Sequence, residues 1–108
     1  MRTLDIRNLS DFVDAFNEER YMDPSDVPAR VQNCQVWHAI VSSPGCLGDS
    51  HAVDRSRENV LASVEYWLDE ENEYSARYVR GQLRRFGICY LRDGRVITLE
   101  RHAVSDLF

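Results

Sequence analysis

The amino-acid sequence predicts a single α+β domain over residues 1–108, with a small, mainly antiparallel sheet, two to three helices and a C-terminal β-hairpin. Three observations predict this class. Apolar residues recur at helical spacing in three segments, one strand-like run is apolar on both faces, and an Asp-Gly turn joins two β-rich segments near the C-terminus. A chain of 108 residues that is 44% hydrophobic can bury a core without disulfide or metal support.

The N-terminal part predicts a short strand and one helix. TLDIR (residues 3–7) alternates apolar and polar residues, as a half-buried strand does. A helix is expected from about Leu9 to Arg20, because Asn8 and Asp11 match a capping box and apolar residues follow at i, i+3, i+4 and i+7. Those apolar residues are Leu9, Phe12, Val13 and Phe16. Two prolines make residues 22–30 a loop, with one helical turn after Pro28.

The middle of the chain predicts a central strand. QVWHAIVSS (residues 35–43) has apolar residues on both faces, which is typical of a strand covered on both sides. His38 shares a face with Val36 and Ile40, and we interpret it as a partly buried histidine whose ring nitrogens are hydrogen-bonded. The turn SSPGCLGD ends this strand and leads through SHAVD (residues 50–54), a short strand, to the next helix.

Two more helices are expected before the C-terminal hairpin. Ser56 is the N-cap of the first, in which one stripe is apolar. The stripe consists of Val60, Leu61, Val64, Trp67 and Leu68. The second helix is YSARYVRGQLRRF (residues 74–86), and Gly87 is its left-handed cap. Its expected inward residues are Ala76, Val79, Leu83 and Phe86.

The C-terminal segment GICYLRDGRVITLER (residues 87–101) predicts a β-hairpin. Asp93-Gly94 is a pair favoured in a two-residue type I′ turn. That turn sets a register, which pairs Tyr90 with Ile97 and Ile88 with Leu99 on one face and Leu91 with Val96 on the other.

Composition points to a cytoplasmic protein. No apolar run approaches the roughly 20 residues that span a bilayer, and no signal-peptide segment is expected at the N-terminus. The three cysteines are odd in number and far apart, which fits a reducing compartment better than a disulfide framework.

Catalytic and metal-binding motifs are weak, so the sequence predicts no enzyme, no metal and no cofactor. Cys46 could be a nucleophile activated by His51 and oriented by Asp49 or Asp54, but no oxyanion-hole signature accompanies it. The other possible metal ligands lack the paired spacing of structural zinc sites. They are Cys34, His38, Cys89 and His102.

Charge is unevenly distributed and offers two possible surfaces for a partner. The 13 basic residues are all arginine, 18 residues are acidic, and the net charge is −5. Clustered carboxylates can occupy a basic surface on a target protein, and two such clusters are present. One consists of Asp69, Glu70, Glu71 and Glu73, and the other of Asp11, Asp14, Glu18 and Glu19.

Residues 75–100 resemble the second half of a winged-helix DNA-binding domain, in which a recognition helix precedes a two-stranded wing. The pattern is matched by Ser75, Val79, Leu83, Phe86, Gly87 and Ile88. The resemblance implies that six arginines face DNA, the first four from the helix and the last two from the wing tip. They are Arg77, Arg80, Arg84, Arg85, Arg92 and Arg95.

The chain as a whole is similar to small accessory proteins of phages and mobile elements of GC-rich bacteria. The likeness depends on an acidic, arginine-only composition together with Trp37, SSPGCLGDS and the YLRDGRV hairpin. Such proteins include anti-CRISPR and anti-restriction inhibitors. The resemblance implies a non-enzymatic inhibitor of a host or defence protein that acts through the acidic clusters.

The oligomeric state is a separate question, and an exposed edge strand could pair with a second copy of the chain.

Overall fold

A computed structural model describes residues 5–43, 45, 49–68 and 75–108 of the chain. Within them the order of elements is α1 (Leu9–Asn17), α2 (Ala29–Gln32), β1 (Gln35–Ser42), β2 (Ser50–Asp54), α3 (Arg57–Trp67), α4 (Ala76–Phe86), β3 (Ile88–Tyr90) and β4 (Val96–Ala103). Short 3₁₀ helices cover Pro24–Asp26 and Val104–Leu107. The predicted α+β class, with its C-terminal hairpin, is confirmed.

The four strands form one antiparallel sheet in the order β2-β1-β4-β3. β1 is central, as its two apolar faces predict, and it pairs with β4 from Gln35 to Ser42. β4 therefore belongs to the middle of the sheet, and β2 and β3 are its two edges. β3 is only three residues long.

Helices cover the sheet on both faces. α3 and α4 pack on one face, where the buried residues include Ala39, Val41, Val60, Leu61, Val64, Val79, Leu83 and Ile97. α1, α2 and the C-terminal 3₁₀ helix pack on the other, where they include Phe12, Val13, Val31, Val36, Val53 and Val104. The apolar stripes predicted for α1 and α3 are these core residues, because helical spacing directs them to one side.

α1 ends at Asn17, three residues earlier than the sequence predicts. Glu19 has a left-handed backbone, with φ of 58°. Its N–H donates to the carbonyl of Phe16, and the N–H of Arg20 donates to the carbonyl of Ala15. These are the two bonds of a Schellman motif, which closes a helix and turns the chain away. The helix therefore ends at Asn17, whose side chain contacts Val53 on the β2 edge of the sheet.

The predicted strand at residues 3–7 is wrong for its described part. Asp5 to Arg7 joins no strand of the sheet. Ile6 is nevertheless buried in the core below α1. In the described part, the apolar alternation therefore arises from one buried side chain, that of Ile6, in an irregular segment that pairs with no strand.

The hairpin register differs by one residue from the predicted one. Ile88 pairs with Thr98, Cys89 with Ile97 and Tyr90 with Val96. The reason is the turn: Leu91 pairs with Arg95 through an N–H···O bond of 2.9 Å, and Gly94 is left-handed with φ of 93°. Such three-residue loops also favour Asp-Gly. A shift of one residue exchanges the faces of a strand, so Cys89 is buried and Tyr90 faces outward.

α4 and β3 are joined by one residue, Gly87. It has φ of 71° and caps the helix as predicted, and its carbonyl accepts from the N–H of Leu99 at 2.8 Å. Phe86 is 59% exposed, so its predicted inward orientation is wrong. The helix buries Val79 and Leu83, whereas its last residue lies beside β3.

Candidate functional site

Three histidines meet on the α1-covered face of the sheet, and they are all the histidines of the chain. Nδ1 of His38 lies 3.1 Å from Nε2 of His102, and Nε2 of His38 lies 2.9 Å from Nδ1 of His51. His38 thus uses both ring nitrogens on its two neighbours. We call His51, His38 and His102 the histidine row.

The antiparallel register brings the histidine row together. His38 on β1 is opposite Val53 of β2 and Glu100 of β4. His51 is two residues before Val53, and His102 is two residues after Glu100, so both share the face of His38 on diagonal positions. Diagonal side chains on one face are within reach of one another when they are long or aromatic.

Phe16 of α1 covers two rings of the row, those of His38 and His51. Its ring lies edge-on to His38 and His51, with centroids 5.9 and 6.4 Å away. His38 is only 7% exposed, whereas His51 is exposed to solvent. Burial lowers the pKa of His38 to about 4, and the positive charge that His51 and His102 can carry adds to this effect. The middle ring is therefore neutral at pH 7.

The geometry of the row suits proton sharing rather than metal binding. A single ion needs ligand nitrogens that converge, but the two nitrogens of His38 point at different rings. In the part of the chain that the structure describes, no group of three or more His, Cys, Asp or Glu could hold a metal ion. Nδ1 of His102 is buried and has no hydrogen-bond partner among those residues.

Sequence reasoning did not find this cluster. It predicted the face of His38 and its bonded ring nitrogens correctly, but it treated each histidine separately. The available signal was strand periodicity: each histidine lies on a strand segment. The missing information was the pairing of β1 with β4, because residues 38 and 102 are far apart in the chain.

The β2 edge of the sheet is closed by the side chain of Asn17. Its Nδ2 donates to the carbonyl of Val53 at 2.9 Å, and its Oδ1 accepts from the N–H of Val53 at 2.9 Å. One amide side chain therefore replaces the two main-chain bonds of a neighbouring strand. This arrangement protects the edge against pairing with another chain.

The β3 edge has no such cover among the described residues. The bonds from Leu99 to Gly87 and from Leu91 to Arg95 show that odd-numbered residues face β4. The N–H and C=O groups of Ile88 and Tyr90 consequently point away from the sheet.

A groove with aromatic walls runs along this open edge. Its lining residues are Tyr78, Gln82, Phe86, Ile88, Cys89 and Tyr90, which we call the edge groove. Tyr90 is 67% exposed and Phe86 59%. Exposed aromatic groups of this kind mark interaction surfaces more often than isolated apolar residues do.

The arginines predicted to face DNA are divided by the structure into two groups. Arg80 pairs with Glu65, and Arg84 forms a two-point ion pair with Glu58. That hydrogen bond from Arg84 is the main reason why the pKa of Glu58 lies below its usual value. These two arginines therefore join α4 to α3, and much of their charge is compensated within the molecule.

The remaining four arginines lie around α4 and the hairpin. Arg95 donates to Asp93 and to the carbonyl of Trp67, and so holds the hairpin loop against the end of α3. Arg92 is exposed on the same loop. Arg77 and Arg85 are exposed on α4, and the guanidinium of Arg85 lies 5.2 Å from the ring centroid of Phe86.

The acidic cluster on α1 is partly brought together. Asp11, Asp14 and Glu18 line one surface depression with Asp5, and Glu18 pairs with Arg20. Glu19 lies outside this group because it occupies the helix-closing position. The second predicted acidic cluster, Asp69, Glu70, Glu71 and Glu73, lies outside the described residues.

The predicted nucleophile, Cys46, also lies outside the described residues. Two of the three residues predicted to assist it have other roles. His51 belongs to the histidine row, and Asp54 accepts from the N–H of Ser56 at 2.8 Å. Cys34 is half-buried, and burial raises the pKa of the Cys89 thiol, which makes it a poor nucleophile at neutral pH.

Comparisons with protein-family models, with curated proteins and with solved structures found no match to this chain. Among the described residues, no helix has the length and apolar character needed to cross a membrane.

Proposed function

We propose that this chain is a small, non-enzymatic protein-binding domain whose β3 edge accepts an extended segment of a partner protein. The observation that carries the proposal is the open edge strand beside the edge groove. An extended peptide that adds a strand to a sheet gains affinity from main-chain hydrogen bonds and specificity from pockets for alternate side chains.

Main-chain pairing is available at two positions. Ile88 and Tyr90 direct their N–H and C=O groups outward, so an incoming strand can form up to about four hydrogen bonds with them. Three residues are a short edge, which limits uncontrolled aggregation. Affinity therefore has to come largely from the side chains of the groove.

The groove supplies apolar contacts on one side of that incoming strand. Tyr78, Gln82 and Phe86 are spaced four residues apart and line the α4 wall together. Side chains of an added strand alternate between this wall and the opposite face, on which Tyr90 lies. A partner with apolar or aromatic residues at alternate positions fits this arrangement.

Charge favours an acidic partner segment. Arg77 and Arg85 are exposed on α4, next in sequence to the groove residues Tyr78 and Phe86, and neither has an ion-pair partner among the described residues. A second copy that paired through the same edge would bring its own Arg77 and Arg85 to that edge, so the two copies would add like charges there. We therefore take the occupant to be an extended apolar segment of a different protein that carries Asp or Glu.

Selection from displayed random peptides on the immobilised protein tests the proposal. We expect the selected peptides to share apolar residues at alternate positions together with an acidic residue. Tyr90→Pro should weaken their binding strongly, because it removes both an outward N–H and the exposed tyrosine ring of the groove while the bonds between β3 and β4 stay intact. Phe86→Ala should weaken binding about tenfold or more, as the loss of a buried aromatic anchor does.

A matched control is Tyr66→Ala on α3, which removes a 91% exposed tyrosine outside the groove and should leave binding unchanged. Peptides that lack the pattern, or that bind Tyr90→Pro as well as the unchanged protein, contradict the proposal. Sedimentation of the protein alone tests the other occupant: a dimer that Tyr90→Pro dissociates would show that a second copy fills the edge.

The inhibitor class predicted from the sequence remains a second candidate. The depression on α1 supports it, because Asp11 and Asp14 line it without ion pairs among the described residues, whereas Asp5 and Glu18 are paired with Arg7 and Arg20. Such an inhibitor of a host or defence protein would act in the cytoplasm, where unpaired cysteines such as Cys34 and Cys89 are stable.

The double variant Asp14→Arg/Glu18→Arg separates the two candidates. Capture of a basic host protein that this variant loses and Tyr90→Pro keeps would assign the function to α1. The opposite result would assign it to the β3 edge.

A DNA mobility-shift assay at low salt tests the winged-helix alternative. That alternative requires Arg77→Ala/Arg85→Ala to abolish the shift.

A further inference from the structure

We propose that the histidine row is a proton-operated latch: uptake of a second proton breaks a contact between rings and releases the end of α1, with Asn17, from the β2 edge. This inference concerns the edge opposite to the edge groove and is independent of the proposed function. It follows from the number of hydrogens that the row can hold, from the position of its cover and from the bonds of Asn17.

The hydrogen count limits the row. Each N···N contact, at 2.9 and 3.1 Å, needs one hydrogen between its two nitrogens. Three neutral rings carry three hydrogens, so two lie in the contacts and one lies on an outer nitrogen. The outer nitrogens are Nε2 of His51 and Nδ1 of His102.

One additional proton leaves both contacts intact, because the second outer nitrogen can take it. A further proton has no outer nitrogen left, so one contact must then hold two hydrogens that face each other. That contact opens, and two of the three rings then carry positive charge in a half-buried site. Both effects oppose the closed arrangement.

The first additional proton also creates a buried N–H donor that needs an acceptor such as water. With both outer nitrogens protonated, Nδ1 of His102 becomes a buried N–H donor that has no partner among the described residues. A buried unpaired donor is costly, whereas an exposed one is not. Phe16 packs against His38, which is buried, so access for water to the middle ring of the row requires the cover to move.

The cover is the C-terminal turn of α1. Phe16 packs against His38 and His51, and the next residue, Asn17, bonds the N–H and C=O of Val53. Displacement of Phe16 therefore removes Asn17 from the edge. At neutral pH the row is closed and the β2 edge is covered; at acidic pH the edge exposes Val53 to a partner strand.

Charged groups on the surrounding elements do not neutralise the row. Glu100 on β4 is opposite His38 in the register, and Asp106 on the C-terminal 3₁₀ helix accepts from the N–H of Ala103. Other charges on elements that pack on this face or flank it are Asp11, Asp14, Glu18, Glu19 and Arg20 at α1, Arg30 on α2, and Asp54 on β2. Among the described residues none of them forms a hydrogen bond or an ion pair with the three rings.

Hydrogen exchange of the Val53 amide tests the latch, because that N–H donates to Asn17. Protection factors, corrected for intrinsic exchange at each pH, are measured on the unchanged protein from pH 7.5 to 4.5. We expect protection of Val53 to fall at least about tenfold between pH 7 and 5, and that of Ile97, buried between β3 and β1, to change less than about twofold. Equal changes at both amides would mean global unfolding and would overturn the proposal, as would a constant Val53 amide.

Titration of the three imidazoles by NMR gives an independent readout. Every imidazole signal of this chain reports on the row, since no other histidine is present. We expect His38 to titrate at least about one pH unit below the ordinary value of about 6.5, in steps that the other two rings share. Three independent titrations near 6.5 would contradict the hydrogen count.

The variant His51→Gln changes the exposed end of the row and therefore perturbs folding least. It removes one proton-accepting ring, so the fall in Val53 protection should move at least about half a pH unit lower. The double variant His51→Gln/His102→Gln leaves one ring and should move the fall in Val53 protection to a still lower pH. A fall at the same pH in all three proteins would assign the effect to carboxylates and overturn the latch.

Discussion

The two edges of the sheet are treated in opposite ways. At the β2 edge, the outward N–H and C=O of Val53 are both satisfied by one side chain, that of Asn17. At the β3 edge, the outward groups of Ile88 and Tyr90 face a groove with exposed aromatic walls. An unpaired edge is a hazard for a small sheet protein. Closure of one edge and openness of the other therefore indicate which one is available to a partner at neutral pH.

The two edges also differ in the parts of the molecule that keep one covered and shape the other. The cover of β2 depends on the end of α1 and, through Phe16, on the charge state of three histidines. The groove at β3 depends on α4 and on packing of Cys89 and Leu83 in the core. One edge is thus sensitive to pH, whereas the other contains no histidine.

Acidification should produce the largest effect, and on the β2 side. Burial lowers the folded-state pKa of His38 to about 4, against 6.5 in the unfolded chain, so the unfolded state binds more protons between these values. The contribution is fully present above pH 6.5 and is lost as the pH falls through 6.5 towards 4. We expect the free energy of unfolding to fall by up to about 3 kcal/mol over that window.

Denaturant unfolding at a series of pH values measures this loss. His51→Gln/His102→Gln serves as the comparison, because it removes the neighbouring charges that help to lower the pKa of His38. The variant should show a shallower pH dependence. An identical dependence in both proteins would place the effect outside the histidine row.

Asn17→Ala should be next in size. It leaves the N–H and C=O of Val53 without the side chain that bonds both, which costs about 2 kcal/mol for two lost hydrogen bonds. Thermal or denaturant unfolding measures the loss. Asn17→Asp is the matched control: its carboxylate can accept from the Val53 N–H but cannot donate to the carbonyl, so an intermediate loss is expected.

Glu19→Gly should stabilise the protein slightly. Glu19 closes α1 with φ of 58°, a conformation that costs a residue with a side chain about 1 kcal/mol. Glycine removes this strain but adds entropy to the unfolded chain, so we expect a gain of about 0.5 kcal/mol. A loss of stability would show that the Glu19 side chain itself supports the end of α1.

Tyr90→Ala should have the smallest effect on stability. The side chain is 67% exposed at the open edge, and exposed positions usually change the free energy of unfolding by less than about 0.5 kcal/mol. The same variant should weaken partner binding clearly. A large loss of stability would indicate that the β3 edge is part of the folded core rather than a docking surface.

Sequence reasoning predicted what short-range pattern determines. The stripe with Phe12 and Val13 and the one with Val60 and Val64 follow helical spacing, and both are buried as expected. The central position of β1 followed from its two apolar faces. Local periodicity sets which side of an element is buried, so these predictions needed no knowledge of its neighbours.

The errors and omissions arise where a distant partner decides the outcome. Asp93-Gly94 suits both a two-residue and a three-residue loop, and the longer loop moved the partner of Tyr90 from Ile97 to Val96. The histidine row depends on strand pairing over 64 positions. Nothing near Asn17 in the sequence marks its bonds to Val53, which is 36 positions away.

The single glycine between α4 and β3 makes the edge groove a preformed cleft. Phe86 on one wall and Ile88 on the other are separated only by Gly87, so no flexible loop sets the distance between the walls. A methyl group at Gly87 would lie 3.2 Å from the carbonyl oxygen of Leu99 and would also strain the left-handed backbone. Because the walls are rigidly spaced before a partner arrives, binding there loses little conformational entropy, and the cost of ordering falls on the partner segment.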